Sequence, residues 1–473
     1  MASFWSSIAK TTFIYIIGTV AAKLISFLML PLYTSYISTE AYGQYDAIMA
    51  YSSIIVPLVG VSCWQGMLRF LNDKGYESQE NKIISNGIFM LTCSLLLLIT
   101  GYLIFCVFVD FQNKILVFLC FFAMMIHSFY LYVSRGLRQD ITYIISGLVS
   151  AFVVAVVSLI CVYLFHLQIE TLYISQILSY IAQFFYIEYK LRIIKRISIK
   201  NIDKIILTEL YQFCAPESVG TIFNWLLNSV NRIIIVAVLG YTANGIYAIS
   251  NKFLAILSVF MTAFVLSFQE AIYSVDYNKI QENANDVIQK FLKIAGWMIS
   301  ILLLGTSIIY PLFVSGEYVE GYNLIPLFYI YFLFSSLTWI LSSVVSATKR
   351  TKIVLYEKII IGSINCILMY ILVKQIGIYS SPVSLIVSEI VGIAVFKYML
   401  EKIAKINLNI SATKTIGDML LILLVSIIFM INNILLTLIS MFISVVLFII
   451  SNKVFINIII NKFIQWRISR KFL

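Results

Sequence analysis

Long apolar runs of about twenty residues recur along the whole chain, set apart by short polar or charged stretches. A helix of that length crosses ~30 Å of hydrocarbon. The runs predict membrane spans at 11–37, 44–68, 83–109, 115–134, 141–165, 172–189, 213–239, 245–273, 291–314, 322–346, 353–376, 380–398, 416–431 and 434–450, about fourteen in all. The first run exceeds the apolar core of a signal peptide and contains Lys23, so it counts as a span. The strict alternation of polarity that marks a membrane β-barrel strand is absent.

Composition agrees with this pattern. The chain is 61% hydrophobic and only 12% charged, where a soluble domain is about 25% charged. The connecting stretches are short, so none can bury a core of its own. A soluble catalytic or nucleotide-binding domain is therefore excluded, and no Gly-Lys-Ser/Thr phosphate loop occurs. The chain is not expected to be an enzyme or to hold a cofactor or metal. The seven cysteines are scattered through apolar segments without a Cys-x-x-Cys pair and read as reduced, small apolar residues.

The net charge of +11 follows from topology. Both termini are placed in the cytoplasm. Of the 33 Lys and Arg residues, only Lys114 and Lys374 then fall outside, and Lys23, Arg232 and Lys252 fall within spans. The basic run Lys190 to Lys204 and the C-terminal tail lie inside. Anionic membrane lipids are the expected partners of this charge, and nucleic acid is not.

Two halves repeat. Tyr42-Gly43-Gln44-Tyr45 follows the first span and Asn244-Gly245-Ile246-Tyr247 follows the seventh. Ser134-Arg135-Gly136 follows the fourth and Ala347-Thr348-Lys349-Arg350 follows the tenth. An even number of helices per unit makes the repeats parallel, related by an axis along the membrane normal. The expected architecture is an all-α polytopic membrane protein with two pseudo-symmetric six-helix lobes around a central cavity, plus two extra C-terminal helices. Residues 1–189 form the N-lobe, 190–212 a basic cytoplasmic linker, 213–400 the C-lobe, and 401–473 the last two spans and a basic tail.

Three cations inside spans carry the functional signal. A charge near the bilayer centre costs roughly 3 kcal/mol on insertion scales, and none of Lys23, Arg232 and Lys252 has an adjacent acidic residue. They are expected to face a water-filled cavity that holds an anion. Arg232 and Lys252 flank the turn between the seventh and eighth spans at similar distances. That sets them level on neighbouring helices, ~10–12 Å below the outer surface. Snorkelling to the interface is the alternative for both. For Lys23 the alternative is a structural pair with a distant carboxylate such as Asp46.

In the seventh span Glu217, Thr221, Asn224, Asn228 and Asn231 stand at spacings of 4, 3, 4 and 3. They form one polar stripe on a helix face. Amides and hydroxyls both donate and accept, which suits a hydrated sugar. Hydrogen bonding between packed helices is the alternative. Arg69 pairing with Glu270 or Glu217 would make an inner gate, and ordinary interfacial charge explains these residues as well. His127 is a coupling candidate or a buried, hydrogen-bonded histidine.

Several short pieces together resemble a known family. They are Leu30-Pro31-Leu32, Ala41-Tyr42-Gly43-Gln44-Tyr45, Arg69-Phe70, Pro216, Asn231-Arg232, Gly245-Ile246-Tyr247-Ala248 with Lys252, Ala347-Thr348-Lys349-Arg350-Thr351-Lys352, Asn365 and Gly377-Ile378. Over roughly residues 10 to 400 the chain resembles the multidrug/oligosaccharidyl-lipid/polysaccharide exporter superfamily, in its Wzx-type flippase branch for O-antigen or capsule repeat units. The resemblance implies a bacterial inner-membrane protein that flips an undecaprenyl-diphosphate-linked oligosaccharide by alternating access. The three cations would then bind the diphosphate, with Arg232 as a forked donor and the lysines as point charges. A polysaccharide polymerase and export machinery are the implied partners. A proton gradient, a sodium gradient and the membrane potential are all open as drive. A lipid II flippase and a multidrug/cation antiporter of the same superfamily are the rival readings. The antiporter would favour acidic residues in its cavity.

Overall fold

The computed structural model describes residues 23–73, 79–273, 277–348, 350, 352–409, 412–431 and 433–452. Among them there is no strand, and the fold is all-α. Residues 23–28 are helical, and 11–22 of the first predicted span lie outside the described residues. The helices are α1 (Leu30–Tyr36), α2 (Thr39–Val59), α3 (Cys63–Leu71), α4 (Glu80–Phe108), α5 (Lys114–Gly136), α6 (Asp140–Tyr163), α7 (Ile169–Leu191), α8 (Lys204–Asn228), α9 (Val230–Tyr273), α10 (Tyr277–Phe313), α11 (Ile325–Ala347), α12 (Lys352–Ile376), α13 (Ser380–Met399), α14 (Ala412–Ile431) and α15 (Ile434–Ser451). Nine described stretches are long and apolar enough to cross a membrane, or ten if α2 and α3 form one bent span. The chain is a multi-pass membrane protein.

Most predicted spans match a helix to within a few residues, and the differences have local causes. The second span is not continuous. Pro57 lacks the N–H that the helix needs, and Val61 and Ser62 take positive φ. The chain bends there by 60° between α2 and α3. The seventh span is also broken. Helix α8 ends at Asn228, and α9 starts beyond Ser229 and is broken at Gly240, where φ is 86° and ψ 177°. The ninth span extends further than predicted, because α10 begins at Tyr277 and runs for 37 residues, about 55 Å at 1.5 Å per residue.

The described residues pack as two compact units. The first draws on Met1–Val259, Gly316–Tyr318 and Met369–Ile378. Its core joins Met67 of α3, Ile83 and Ile84 of α4, Phe129 of α5, Tyr173 and Ile187 of α7, and Leu210 and Cys214 of α8. The basic segment after α7 is folded onto α4. Asn86 accepts from the Asp203 amide at 3.1 Å and donates to the Asn201 carbonyl at 3.2 Å, while Arg196 pairs with Glu80 at 3.2 Å. Asp203 then caps α8 through the Ile205 amide.

The second unit draws on Phe260–Ser315, Val319–Leu368 and Tyr379–Leu473. Leu303 and Leu304 of α10, Phe328, Leu333 and Leu341 of α11, and Ile422 and Phe429 of α14 are fully or nearly fully buried. Tyr322 stacks on Phe429 at 4.1 Å. The polar start of α10 holds the extended segment before α14 through an amide ladder. Gln281 accepts from the Asn407 amide at 2.8 Å, Asn285 accepts from the Asn409 amide at 2.8 Å, and Gln289 donates to the Asn409 carbonyl at 2.7 Å. Four residues of helix rise about 6 Å and two residues of extended chain about 6.6 Å, so the two repeats stay in register.

Candidate functional site

The site grows from a helix crossing in the first unit. Gly43 of α2 lies against the backbone of Tyr241 and Gly245 in α9, and a Cβ on Gly43 would overlap the Tyr241 carbonyl. A Cβ on Gly245 would overlap the Thr39 carbonyl. Two glycines facing each other let the backbones touch. These are the glycines of the two repeated motifs, Tyr-Gly-Gln-Tyr and Asn-Gly-Ile-Tyr. Asn244, fully buried, locks the crossing by donating to the Gly43 carbonyl at 2.9 Å.

One face of α2 carries the rest of the contact, at helical spacing. Asp46 Oδ2 lies 3.1 Å from Arg232 Nε and accepts from Asn244 Nδ2 at 3.2 Å. The Arg232–Asp46 approach is an ion pair in which the Nε hydrogen is not aligned on the carboxylate. One turn further, the Ala50 carbonyl accepts from Trp225 Nε1 at 2.8 Å, and Ser53 meets Ser229 at 3.2 Å. Ser229 breaks the helix where α2 crosses it.

Lys252 sits beside this pair. Its ammonium is 5.2 Å from the Tyr33 ring centre and 5.1 Å from the Tyr42 ring centre, a double cation–π seat. It also lies within electrostatic reach of Asp46 and Arg232. Tyr33 is held by Ser158 at 3.2 Å. Tyr42 meets the edge of Tyr318, whose hydroxyl donates to the carbonyls of Ile37 and Ser38. Two cations face one carboxylate here, so the cluster carries one surplus positive charge.

The placement of the other predicted residues is mixed. Lys23 donates to Ser258 of α9 at 3.3 Å, and Asp46 pairs with Arg232, so the Lys23–Asp46 alternative is replaced. Arg232, which has no acidic residue beside it in the sequence, does have a carboxylate partner in the structure. Its carboxylate comes from α2, 186 positions earlier, which adjacency in sequence does not reveal. The stripe is corrected in continuity. The break at Ser229 separates Asn228 from Asn231, which is buried on α9, while Glu217 is exposed on α8. The side chains of Asn224, Asn228 and Glu270 lie outside the described residues. Arg69 pairs with Asp73, one turn along its own chain, at 2.9 Å. His127 stacks on Tyr180 with ring centres 4.4 Å apart.

Sequence reasoning missed Asn244, Tyr33 and Tyr42 as contributors. For Asn244 and Tyr42 the signal lies in the repeated motifs, which mark the symmetry of the halves and also touch each other. The opposite face of α2, with Gln44, Ile48, Tyr51 and Ile55, lines a separate cavity of about 690 Å³ with α4 and α5. Among the described residues no charged side chain lines it.

The family described as Polysaccharide biosynthesis protein matches residues 8–269, more than half of the chain. No curated protein sequence matches. Among solved structures, "Lipid II flippase MurJ, inward closed conformation" aligns with TM-score 0.70 at 15% identity, over 96% of this chain and 100% of that one. An inward-facing multidrug resistance MATE family transporter of the MOP superfamily aligns with TM-score 0.65 at 12% identity, over 82% and 96%. A variant of the Vibrio cholerae MATE transporter VcmN aligns with TM-score 0.54 at 14% identity, over 84% and 98%. At these identities the likeness is one of fold.

Proposed function

The chain belongs to the polysaccharide biosynthesis protein family, and from that premise we propose that it is a flippase for lipid-linked oligosaccharides. Its substrate on this reading is an undecaprenyl-diphosphate-linked repeat unit for O-antigen or capsule. The head moves from the inner to the outer leaflet of a bacterial inner membrane, and both termini are cytoplasmic. The observation that carries the reading is the cluster of Arg232 and Lys252 on Asp46, with its surplus positive charge.

The physical problem is to carry a diphosphate and several sugars past hydrocarbon while the lipid tail stays in the bilayer. Arg232 and Lys252 supply the countercharge, and Lys23 adds a third cation. Asp46 takes the place at Arg232 that the substrate anion would take. An incoming phosphate competes for that guanidinium. When Asp46 lets go, Asn244 loses a partner and holds the Gly43–Gly245 crossing by a single hydrogen bond. Substrate binding thereby loosens the end of the helix pair that faces outward on this reading. An inside-negative potential favours outward movement of an anion by about 2.3 kcal/mol per charge per 100 mV.

A cation antiporter fits this cluster poorly, because the surplus charge repels a cationic drug. A lipid II head carries the same diphosphate and suits the cluster equally. Deleting the gene and analysing the lipid-linked sugars tests the function. Single repeat units accumulate on the inner leaflet if the reading holds. Accumulation of lipid II in their place would assign the peptidoglycan precursor, and flipped but unpolymerised units would contradict flipping altogether.

A further inference from the structure

The segment between α7 and α8 divides its apolar residues between two sides. Ile193 and Ile206 are buried in the core of the first unit. Ile194, Ile199, Ile202 and Ile205 are instead 53%, 86%, 38% and 70% exposed. Exposed cations stand among them: Arg192, Lys195, Lys200 and Lys204. None of the four has an ion pair among the described residues. The acids of the segment are already engaged. Glu188 accepts from the Ile194 amide at 3.1 and 3.2 Å, while Asp203 accepts from the Ile205 amide and pairs with Lys82 at 3.8 Å. The outer side of the segment therefore carries positive charge beside bare hydrocarbon.

The depth of the segment follows from what holds it. Helix α4 is long and apolar enough to span, with 29 residues, about 43 Å of helix against ~30 Å of hydrocarbon. An even split of the excess leaves about 7 Å at each end. Ser85 and Asn86 lie about 8–9 Å from the start of α4, at the boundary between hydrocarbon and headgroups. Ser85 accepts from the Ser198 amide at 3.2 Å, and Asn86 bonds both Asn201 and Asp203. The segment is thus pinned at that boundary. Tyr189, 78% exposed, suits the same layer, where amphipathic rings collect. A protein partner fits the surface poorly, because lysine is depleted at protein interfaces. A layer of phosphate over hydrocarbon fits both parts of the pattern, since cations meet the phosphates and isoleucines enter the acyl boundary.

We propose that residues 189–205 form a docking surface for anionic lipid headgroups, with the four isoleucines in the bilayer interface and the four unpaired cations on lipid phosphates. The hydrogen bonds to α4 fix the backbone of the surface in advance, so binding orders only the cationic side chains. The connection between the two sequence halves is thereby fastened to one leaflet, the inner one on the orientation proposed above. The surface is separate from the Asp46 cluster and does not rest on the identity of the transported head.

Photocrosslinking from p-benzoylphenylalanine in place of Ile199 reads the contact, with the full chain in nanodiscs of phosphatidylcholine and a minority of phosphatidylglycerol. Adducts at position 199 should hold phosphatidylglycerol at least about threefold above its share of the bilayer. Arg192→Gln, Lys195→Gln, Lys200→Gln and Lys204→Gln together leave the bonds to α4 in place. They should return the adducts to the composition of the bilayer without loss of total adduct. High salt should do the same with the cations intact, because exposed charges are screened. The same probe at Leu435, an exposed apolar position of α15, should report the bilayer composition throughout. Absence of lipid adducts at position 199 overturns the proposal, and so does a lipid mixture there that matches the bilayer while the four cations are present. A protein adduct in place of lipid, in membranes of the producing cells, would assign the surface to a protein partner and overturn it too. None of these readouts needs flipping, so they remain decisive if the transport reading fails.

Discussion

Asp46 Oδ2 bridges Arg232 Nε at 3.1 Å and Asn244 Nδ2 at 3.2 Å, so one carboxylate oxygen joins the charge of α9 to the lock on its glycine crossing. Asp46→Asn keeps the shape and the hydrogen bonding to Asn244 but removes the countercharge. The variant should lower the thermal stability of the ligand-free protein, and inorganic pyrophosphate should restore part of the loss by supplying the missing anion. Unchanged melting with and without pyrophosphate would separate Asp46 from the site.

The crossing itself is testable through its glycines. Gly43→Ala or Gly245→Ala places a methyl where the partner's backbone carbonyl lies. The helices must separate, because backbone cannot yield as a flexible side chain does. Spin labels at the exposed positions Glu40 and Tyr241 should report a longer mean distance in either variant than in the wild type. An unchanged distance distribution would show that the close approach is not required.

Lys252 depends on rings and not on hydroxyls. Tyr42→Phe preserves the aromatic face and should leave flipping within about twofold of wild type. Tyr42→Leu removes it, and a cation–π contact is worth about 0.5–2 kcal/mol. Flux measured in proteoliposomes should therefore fall severalfold for the leucine variant alone. Equal loss in both variants would point to the hydroxyl.

The amide ladder on α10 predicts protection at two backbone positions. Replacing Gln281, Asn285 and Gln289 together by alanine removes the partners of the Asn407 and Asn409 amides. Hydrogen exchange should accelerate at those two amides while the interior of α14 stays protected. No acceleration would mean that the ladder is incidental to the order of this segment.

Much of this was legible in the chain. Membrane spans are legible because twenty apolar residues have few soluble alternatives, and from residue 83 onward the map matches the helices closely outside the seventh to ninth spans. Arg232 and Lys252 were also legible as neighbours, since the break of α9 at Gly240 lies between them. Asp46 was not legible as their counter-ion, because a contact between α2 and α9 spans nearly two hundred positions and leaves no local pattern. The break at Ser229 escaped for a different reason. Asn228 and Ser229 are weak helix formers, but a polar stripe of regular spacing argues for continuity. The start of α10 was hidden by polarity. Its buried Ile280, Ala284 and Ile288 keep helical period, yet the segment is too polar to be read as membrane.

The central claim is that Arg232 and Lys252 carry the anionic head. Its most direct test is flipping of a polyprenyl-diphosphate oligosaccharide by the purified chain in proteoliposomes, for Lys23→Met, Arg232→Gln and Lys252→Met. Each loss of a cation should lower flux by at least about tenfold, equivalent to ~1.4 kcal/mol, with Arg232→Lys recovering part of it. Near-normal flux in all three variants would contradict the account.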